Sequence, residues 1–319
     1  MGEFELIERF FKRGARQADV GIGDDCAIWT PSPGHQLALS ADMLVEGRHF
    51  LSTVTSRDLG HKALAVNLSD LAACGATPRA FLLSLSLPRV DEVWLSGFSE
   101  GLFALADAEG CELIGGDTTQ GPLNIAITVM GEVPAQKAIL RSGAQVGDDL
   151  YVSGHLGDAR LALEAFRGTV SLPQSALELA RIRMERPEPR TALGVSLRGV
   201  ATAMADISDG LLGDLGHILK ASQVGANIQI AAIQNLMLTR GAWACPQDWL
   251  QRCILSGGDD YELVFTCPPS QHQHVQSLSE SCGTPVTHIG RITADPRLLL
   301  LTEEGEVMPN TFTSFDHFA

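Results

Sequence analysis

The residues with the most chemical reach in this chain are aspartates that recur where apolar segments end or glycine turns begin: Asp24-Asp25, Asp42, Asp117, Asp206, Asp209 and Asp259-Asp260. Strand ends are where α/β proteins assemble their sites. Taken singly, an aspartate in such a place serves its own turn, because its carboxylate bonds nearby backbone and it tolerates unusual dihedrals. Asp70 stands apart, since it interrupts a largely apolar helical stretch in which an unsatisfied carboxylate is costly. Carboxylates converging on one cleft cannot all stay ionised unless cations sit among them. Oxygen donors with little His or Cys nearby point to magnesium, which bridges nucleotide phosphates.

The familiar phosphate-binding signatures are missing. The sequence has no Gly-Lys dipeptide, hence no Walker A loop, and no His-Arg-Asp or Asp-Phe-Gly set. Gly21-Ile22-Gly23 lacks the third glycine of a dinucleotide fingerprint, and the two aspartates after it repel a pyrophosphate. Gly97-Phe98-Ser99-Glu100-Gly101 matches a hydrolase elbow in letters, but Trp94, Phe98 and Leu102 have helical spacing, not a strand-turn-helix context. Among nine histidines there is no His-Glu-x-x-His, and His61 and His217 fall within expected helices. With four lysines and a net charge of −15, a phosphate-handling protein must neutralise its substrate with something other than its own cations.

The elements that would position these residues alternate between period 2 and period 3.6, which reads as mixed α/β. Leu37 to Ala41 reads as a strand. Thr55 or Ser56 caps a helix running to about Cys74, with Gly75 as its stop; Leu64, Leu68 and Leu71 share its apolar stripe, and Asn67 and Asp70 a flanking face. A second helix is expected over about 91–109, then a short strand 111–114, a turn at Gly115-Gly116-Asp117 and an alternating strand from Leu123 to Val129. Gly131 to Ala135, containing Pro134, follows a finished strand, so a boundary is placed near 135, giving domains 1–135 and 136–319. In the second half, strands are expected at 149–153, before Asp206, near Ile228 and at 261–266, and helices at 157–167, 174–186, up to about Gln223, and from Pro246.

Composition bounds the rest. A chain of 319 residues can bury roughly three quarters of its unfolded surface. Seven scattered cysteines without a Cys-x-x-Cys suggest neither a disulfide frame nor a zinc knuckle, and a reducing cytoplasm is expected. The charge argues against nucleic acid and anionic lipid as partners, and no apolar run is long enough to span a membrane.

The ordered motifs resemble those of the thiamine-monophosphate kinase family, within the aminoimidazole-ribotide synthetase-like superfamily. The resemblance runs through Gly21-Ile22-Gly23-Asp24-Asp25, Asp42-Met43-Leu44-Val45-Glu46-Gly47-Arg48-His49-Phe50, Lys62 to Ala73, Gly115-Gly116-Asp117-Thr118-Thr119, Arg141-Ser142-Gly143-Ala144, Asp206-Ile207-Ser208-Asp209-Gly210, Ser256 to Leu263, and Asp316-His317-Phe318. It implies a two-domain α/β (α+β) fold of the superfamily's type: an N-terminal ATP- and magnesium-binding domain whose sheet pairs in a homodimer, and a C-terminal α/β domain. It implies several Mg2+ ions held by Asp25, Ser40, Ala41, Asp42, Asp70, Asp117, Asp206 and Asp209. ATP contacts are implied for Gly116, Asp117, Arg141 and Ser208, and thiamine monophosphate contacts for His49, Asp259 and Phe315.

Three positions depart from the family pattern. Ala41 stands where the family usually has Thr, which leaves only its backbone carbonyl as a ligand. Asp259 stands where Glu is frequent, one methylene shorter, and Phe315 where Trp or Tyr is frequent. The implied reaction is direct in-line γ-phosphoryl transfer. A phosphate monoester acceptor, with a second pKa near ~6, is largely dianionic at neutral pH, so no catalytic base is expected. Two other readings remain open on the residues: another ATP-dependent synthetase of the superfamily acting on an amide or ribotide, and a non-catalytic acidic metal-binding protein.

Overall fold

The computed structural model describes residues 2–312. The chain divides into two compact units, Met1–Leu71 with Ala76–Gln136, and Ala72–Gly75 with Lys137–Ala319.

The first unit contains α1 (Glu3–Phe10), β1 (His35–Val45), α2 (Ser56–Ala73, whose last two residues group with the second unit), β2 (Thr77–Leu87), α3 (Glu92–Ala108), β3 (Glu112–Gln120) and β4 (Asn124–Pro134). Its four strands lie in the order β1-β4-β2-β3, with β2 and β3 parallel and the other pairs antiparallel. Of the two candidate caps, Thr55 serves α2: the Asp58 N–H donates to Thr55 Oγ1 at 3.1 Å, and the Thr55 hydroxyl donates to the Asp58 carboxylate at 2.7 Å. The helix ends at Gly75, φ +64°, where the Ala76 N–H reaches back to the Leu71 carbonyl. Leu64, Leu68 and Leu71 are withdrawn from water, about 1.5–3 kcal/mol apiece, enough to hold a helix that carries Asn67 and Asp70 on its flank. Asp91 caps α3 by accepting from the Val93 and Trp94 N–H groups. Gly97 to Gly101 is helical there, and α2 and α3 cross so closely that a Cβ at Gly60 would fall 2.1 Å from the Phe98 carbonyl oxygen.

Two local expectations are corrected. Gly115-Gly116-Asp117 is not a turn: β3 runs straight through it, with a register shift opposite Phe81 and Leu82. Gly116 adopts φ +148° and lies against β2, where a Cβ would meet the Leu83 carbonyl oxygen at 1.8 Å. The extra residue at the register shift is Ile114, and the glycine pair that reads as punctuation follows it as paired strand, where close backbone approach is the reason for glycine. Similarly, β4 does not finish before Gly131 but continues to Pro134, paired with β1 along its whole length.

The segment that carries Asp25 is tied to the sheet by the buried Glu112, whose carboxylate accepts from the N–H groups of Arg16 (2.6 Å), Gln17 (2.8 Å) and Ala18 (3.3 Å).

The second unit contains β5 (Asp149–Ser153), α4 (Asp158–Phe166), α5 (Gln174–Glu185), α6 (Thr191–Ser196), β6 (Ala203–Ile207), α7 (Leu211–Ser222), β7 (Gly225–Gln229), α8 (Ile230–Ile233), α9 (Gln247–Ser256), β8 (Glu262–Cys267), α10 (His272–Cys282), β9 (Val286–Thr293), β10 (Leu298–Leu301) and β11 (Val307–Met308). Its sheet has the order β11-β10-β7-β9-β5-β8-β6. Strands β5, β6 and β8 are buried along their whole length, and alternate residues enter two cores. Leu150, Val152, Ala203, Ala205, Ile207 and Val264 join Leu211, Leu215 and Ile254 on one side. Tyr151, Met204, Leu263 and Phe265 join Leu193, Leu197 and Val275 on the other. Burial on both faces is why these strands lack the apolar/polar alternation of a half-exposed strand.

Candidate functional site

In the first unit three of the implied ligands, Ser40, Asp42 and Asp70, lie where β1 meets α2. Ser40 and Asp42, two apart on β1, leave the strand on the same face, and Asn67 and Asp70, three apart on α2, answer them. The Ser40 hydroxyl donates to Asp70 Oδ2 at 2.5 Å, and the Asp42 backbone N–H donates to Asn67 Oδ1 at 2.9 Å. The amide of Asn67 is in turn aligned by donating to the Ala63 carbonyl. Asn67 is the residue here that the ligand set omits; its three-residue spacing from Asp70 was the signal. Ala41 lies between Ser40 and Asp42, so its side chain points to the opposite face.

Asp117 also belongs to that opposite face. It pairs with Ser84, which pairs with Ala126, whereas Asp42 pairs with Ile127 in the neighbouring row. Ile127 and Leu83 are buried, while Ser84 and Asp117 are exposed, so the pleat sends Asp42 and Asp117 to different sides of one sheet. Gly116 and Asp117 sit on the exposed stretch of β3.

Past the end of β1 the chain turns at Gly47 and brings His49 back onto the strand. Its Nδ1 accepts the Val45 N–H at 3.0 Å, so in the neutral ring Nε2 carries the proton and serves as a donor. Asp25 is exposed; its N–H donates to the Asp24 carboxylate at 2.8 Å, so of this doublet Asp24 serves the turn.

In the second unit Asp206 is the last residue but one of the buried strand β6, and Ser208 and Asp209 lie in the loop that leads to α7. Asp214, in the first turn of α7, accepts the N–H groups of both Ser208 (3.1 Å) and Asp209 (3.0 Å) on one oxygen. Burial pushes the Asp214 carboxyl up to about 6, and the Asp209 charge adds to this; the two N–H donors and the Arg141 guanidinium pull the other way. Arg141 is therefore within electrostatic reach of this loop. Its own loop is fastened to α7, because Ser222 Oγ accepts from the Gly143 and Ala144 N–H groups and donates to the Arg141 carbonyl.

The Asp259-Asp260 doublet splits. Asp260 turns inward, is 3 % exposed and accepts the Gly157 N–H, and burial raises its carboxyl well above the ordinary range. Asp259 is half-buried on the other side and accepts the Tyr261 hydroxyl at 3.1 Å. The backbone of this loop leans on the first one: the Asp259 N–H donates to the Ser208 carbonyl, and the Tyr261 N–H to the Ile207 carbonyl. Tyr261, expected to begin a strand, instead adopts φ +51°, and β8 starts at Glu262.

Phe315 and the Asp316-His317-Phe318 motif lie outside the described residues. Among the described residues no three His, Cys, Asp or Glu side chains form a group that could hold a metal ion. The candidate donors are all oxygen: Ser40, Asp42 and Asp70 on β1 and α2 of one unit, Asp206 and Asp209 on β6 and the loop after it in the other. Such donors fit magnesium, which is usually held by one or two carboxylates together with water and substrate phosphates. Asp214 and Tyr261 were not singled out from the sequence. An aspartate in the first turn after Ser208-Asp209-Gly210 was the available signal for the former; Tyr261 had none apart from its place beside the doublet.

Comparison with known proteins gives consistent matches. Residues 23–133 match the family described as AIR synthase related protein, N-terminal domain, and residues 145–301 the corresponding C-terminal domain. Thiamine-monophosphate kinase of Escherichia coli strain K12 is 45% identical over 324 residues, covering 100% of this chain and 98% of that protein. The crystal structure of thiamine-monophosphate kinase from Stenotrophomonas maltophilia is 41% identical, covers 96% of each chain and superposes with a TM-score of 0.85. The structure of AaThiL complexed with AMPPCP and TMP is 28% identical over 91% of this chain and 89% of that one, with a TM-score of 0.77. No described helix is long and apolar enough to cross a membrane.

Proposed function

The chain belongs to the AIR synthase related family and, within it, to the thiamine-monophosphate kinases, and from that premise we propose that it transfers the γ-phosphoryl group of ATP to thiamine monophosphate in the cytoplasm, giving thiamine diphosphate. The observation that carries this reading is 45% identity over the full length to a kinase of that name. Supporting it, a 28% identical neighbour is a complex with AMPPCP and TMP.

Mg2+ would be held by Asp25, Ser40, the Ala41 carbonyl, Asp42, Asp70, Asp117, Asp206 and Asp209, and when bound it offsets the repulsion between two phosphate groups. The chain's own contribution is alignment. Ser40 and Asn67 fix the Asp70 carboxylate and the Asp42 backbone before any ligand arrives. Asp214 holds the loop on which Ser208 meets ATP and Asp209 the metal, Arg141 offers a planar fork to the ATP phosphates, and Gly116 with Asp117 completes the ATP contacts. His49, donating through Nε2, and Asp259 with Phe315 receive thiamine monophosphate. Because the acceptor phosphate is already anionic, transfer is direct and in line, without a base.

Incubation with ATP, Mg2+ and either thiamine monophosphate or free thiamine tests this. Thiamine diphosphate and ADP are expected to form together from the monophosphate; phosphorylation of free thiamine alone overturns the reading.

We also read the protein as a homodimer joined through the first unit's sheet. Strand β1 is an edge of eleven residues, and its outward row holds Leu37, Leu39 and Met43, which are 45, 64 and 53 % exposed. A long apolar edge invites pairing, and a second copy is the occupant this family suggests. The substitution Leu39→Lys is expected to give monomers in sedimentation velocity at micromolar protein. A variant that sediments like the parent would remove β1 from the interface.

A further inference from the structure

We propose that Tyr261 is a positioning residue for the thiamine monophosphate site, its hydroxyl holding the Asp259 carboxylate in the orientation that meets substrate. The proposal rests on the reading of Asp259 as a substrate contact. Loop 257–261 is pinned from several directions. Asp260 is anchored inside by the Gly157 N–H, and Glu262, directly after Tyr261, is locked by Arg183, Arg190 and Ser153. The backbone at Asp259 and Tyr261 is bonded to the carbonyls of Ser208 and Ile207 at 2.9 and 2.8 Å. Both residues are nevertheless in the left-handed region, φ +67° and +51°, a conformation that a bulky L residue such as tyrosine rarely adopts. Such outliers persist where surrounding structure over-determines them, and they cluster at ligand sites.

What this geometry achieves is visible in the side chains. With both residues left-handed, the phenol folds back over the turn, 9 % exposed, and its hydroxyl donates to Asp259 Oδ1 at 3.1 Å. An aspartate has one fewer rotatable bond than glutamate, so one hydrogen bond from a buried donor is enough to set its carboxylate. Preorganisation of this kind lowers the cost of binding without touching the reacting phosphates.

The test is steady-state kinetics and calorimetric binding of thiamine monophosphate for Tyr261→Phe, Asp259→Ala and the double variant. Losing one hydrogen bond of this kind is expected to raise the KM and Kd for thiamine monophosphate about three- to tenfold, with the KM for ATP, kcat and the melting temperature of Tyr261→Phe unchanged. In the Asp259→Ala background the tyrosine substitution should have no further effect, since it acts only through that carboxylate. A Tyr261→Phe enzyme with unchanged affinity beside a weakened Asp259→Ala enzyme overturns the proposal and leaves the substrate role of Asp259 standing. Equal losses for ATP and thiamine monophosphate, or an undiminished tyrosine effect in the double variant, also overturn it. Unchanged affinity in Asp259→Ala overturns the underlying reading of Asp259 instead.

Discussion

Asp42→Asn and Asp117→Asn are each expected to lower turnover by about 10²–10³-fold or more, the size seen when one group that stabilises developing charge is removed, with the melting temperature staying at that of the parent. The expectation of an intact fold comes from where the two residues sit. The Asp42 backbone N–H donates to Asn67, a bond that an asparagine side chain leaves in place. Asp117 is exposed on the open face of β3, where the exchange of carboxylate for amide disturbs no packing. Both substitutions preserve shape and delete a negative charge, so the loss falls on cation affinity. Turnover should recover in part at raised Mg2+, whereas raised thiamine monophosphate should not rescue it. Measurement of kcat across a magnesium series together with thermal unfolding separates the cases. Either variant retaining more than about a tenth of parental turnover at low magnesium would take that residue out of the proposed metal set.

Glu262→Gln is the largest expected effect on stability. Glu262 is fully buried and receives a bidentate fork from Arg190 (2.7 and 2.6 Å), a bond from Arg183 (2.7 Å) and one from the Ser153 hydroxyl (2.7 Å). Both arginine side chains are themselves only 11 % exposed. Removing the negative charge leaves two guanidinium groups in a poorly solvated site. That costs about 3–5 kcal/mol, or roughly 6–20 °C in melting temperature for a domain of this size. Burial by itself would raise the Glu262 carboxyl, but the hydrogen bonds and charge of Arg190, with the charge of Arg183, outweigh it and hold the group below its ordinary range. A depressed carboxyl contributes stability that is fully present above its unfolded pKa of about 4.3 and is lost as pH falls through its folded value. The gap between parent and variant should therefore be widest near neutral pH and close in acid. Urea unfolding at about pH 7 and about pH 3.5 reads this directly, and a gap that stays constant or widens in acid contradicts it. Because Glu262 follows Tyr261, the variant should also loosen the loop that presents Asp259.

Residue types and spacing carried much of this protein's description. Thr55, the leucine stripe and Gly75 marked α2 from cap to stop because those signals are local: a hydroxyl three residues before an acceptor, a periodic apolar face, and a residue free to turn left-handed. The acidic motifs, in their order, were enough to identify the family.

Tertiary structure decided matters that no local signal encodes. A glycine pair serves a turn or a close backbone approach within a strand, and only the Leu83 carbonyl lying against Gly116 selects the strand. Doublets of identical residues had to be divided by their neighbours, with Asp24 and Asp260 given to the backbone and Asp25 and Asp259 left facing outward. Tyr261 and Glu262 acquired their roles from a backbone conformation that the sequence around them does not favour and from partners distant in the chain. Composition and short-range order thus determined which chemistry this chain carries and which helices and strands present it. Which carboxylate is held, by what donor and on which side of the sheet, followed only from folding, because hydrogen bonding and burial depend on atoms that sequence distance does not bring together.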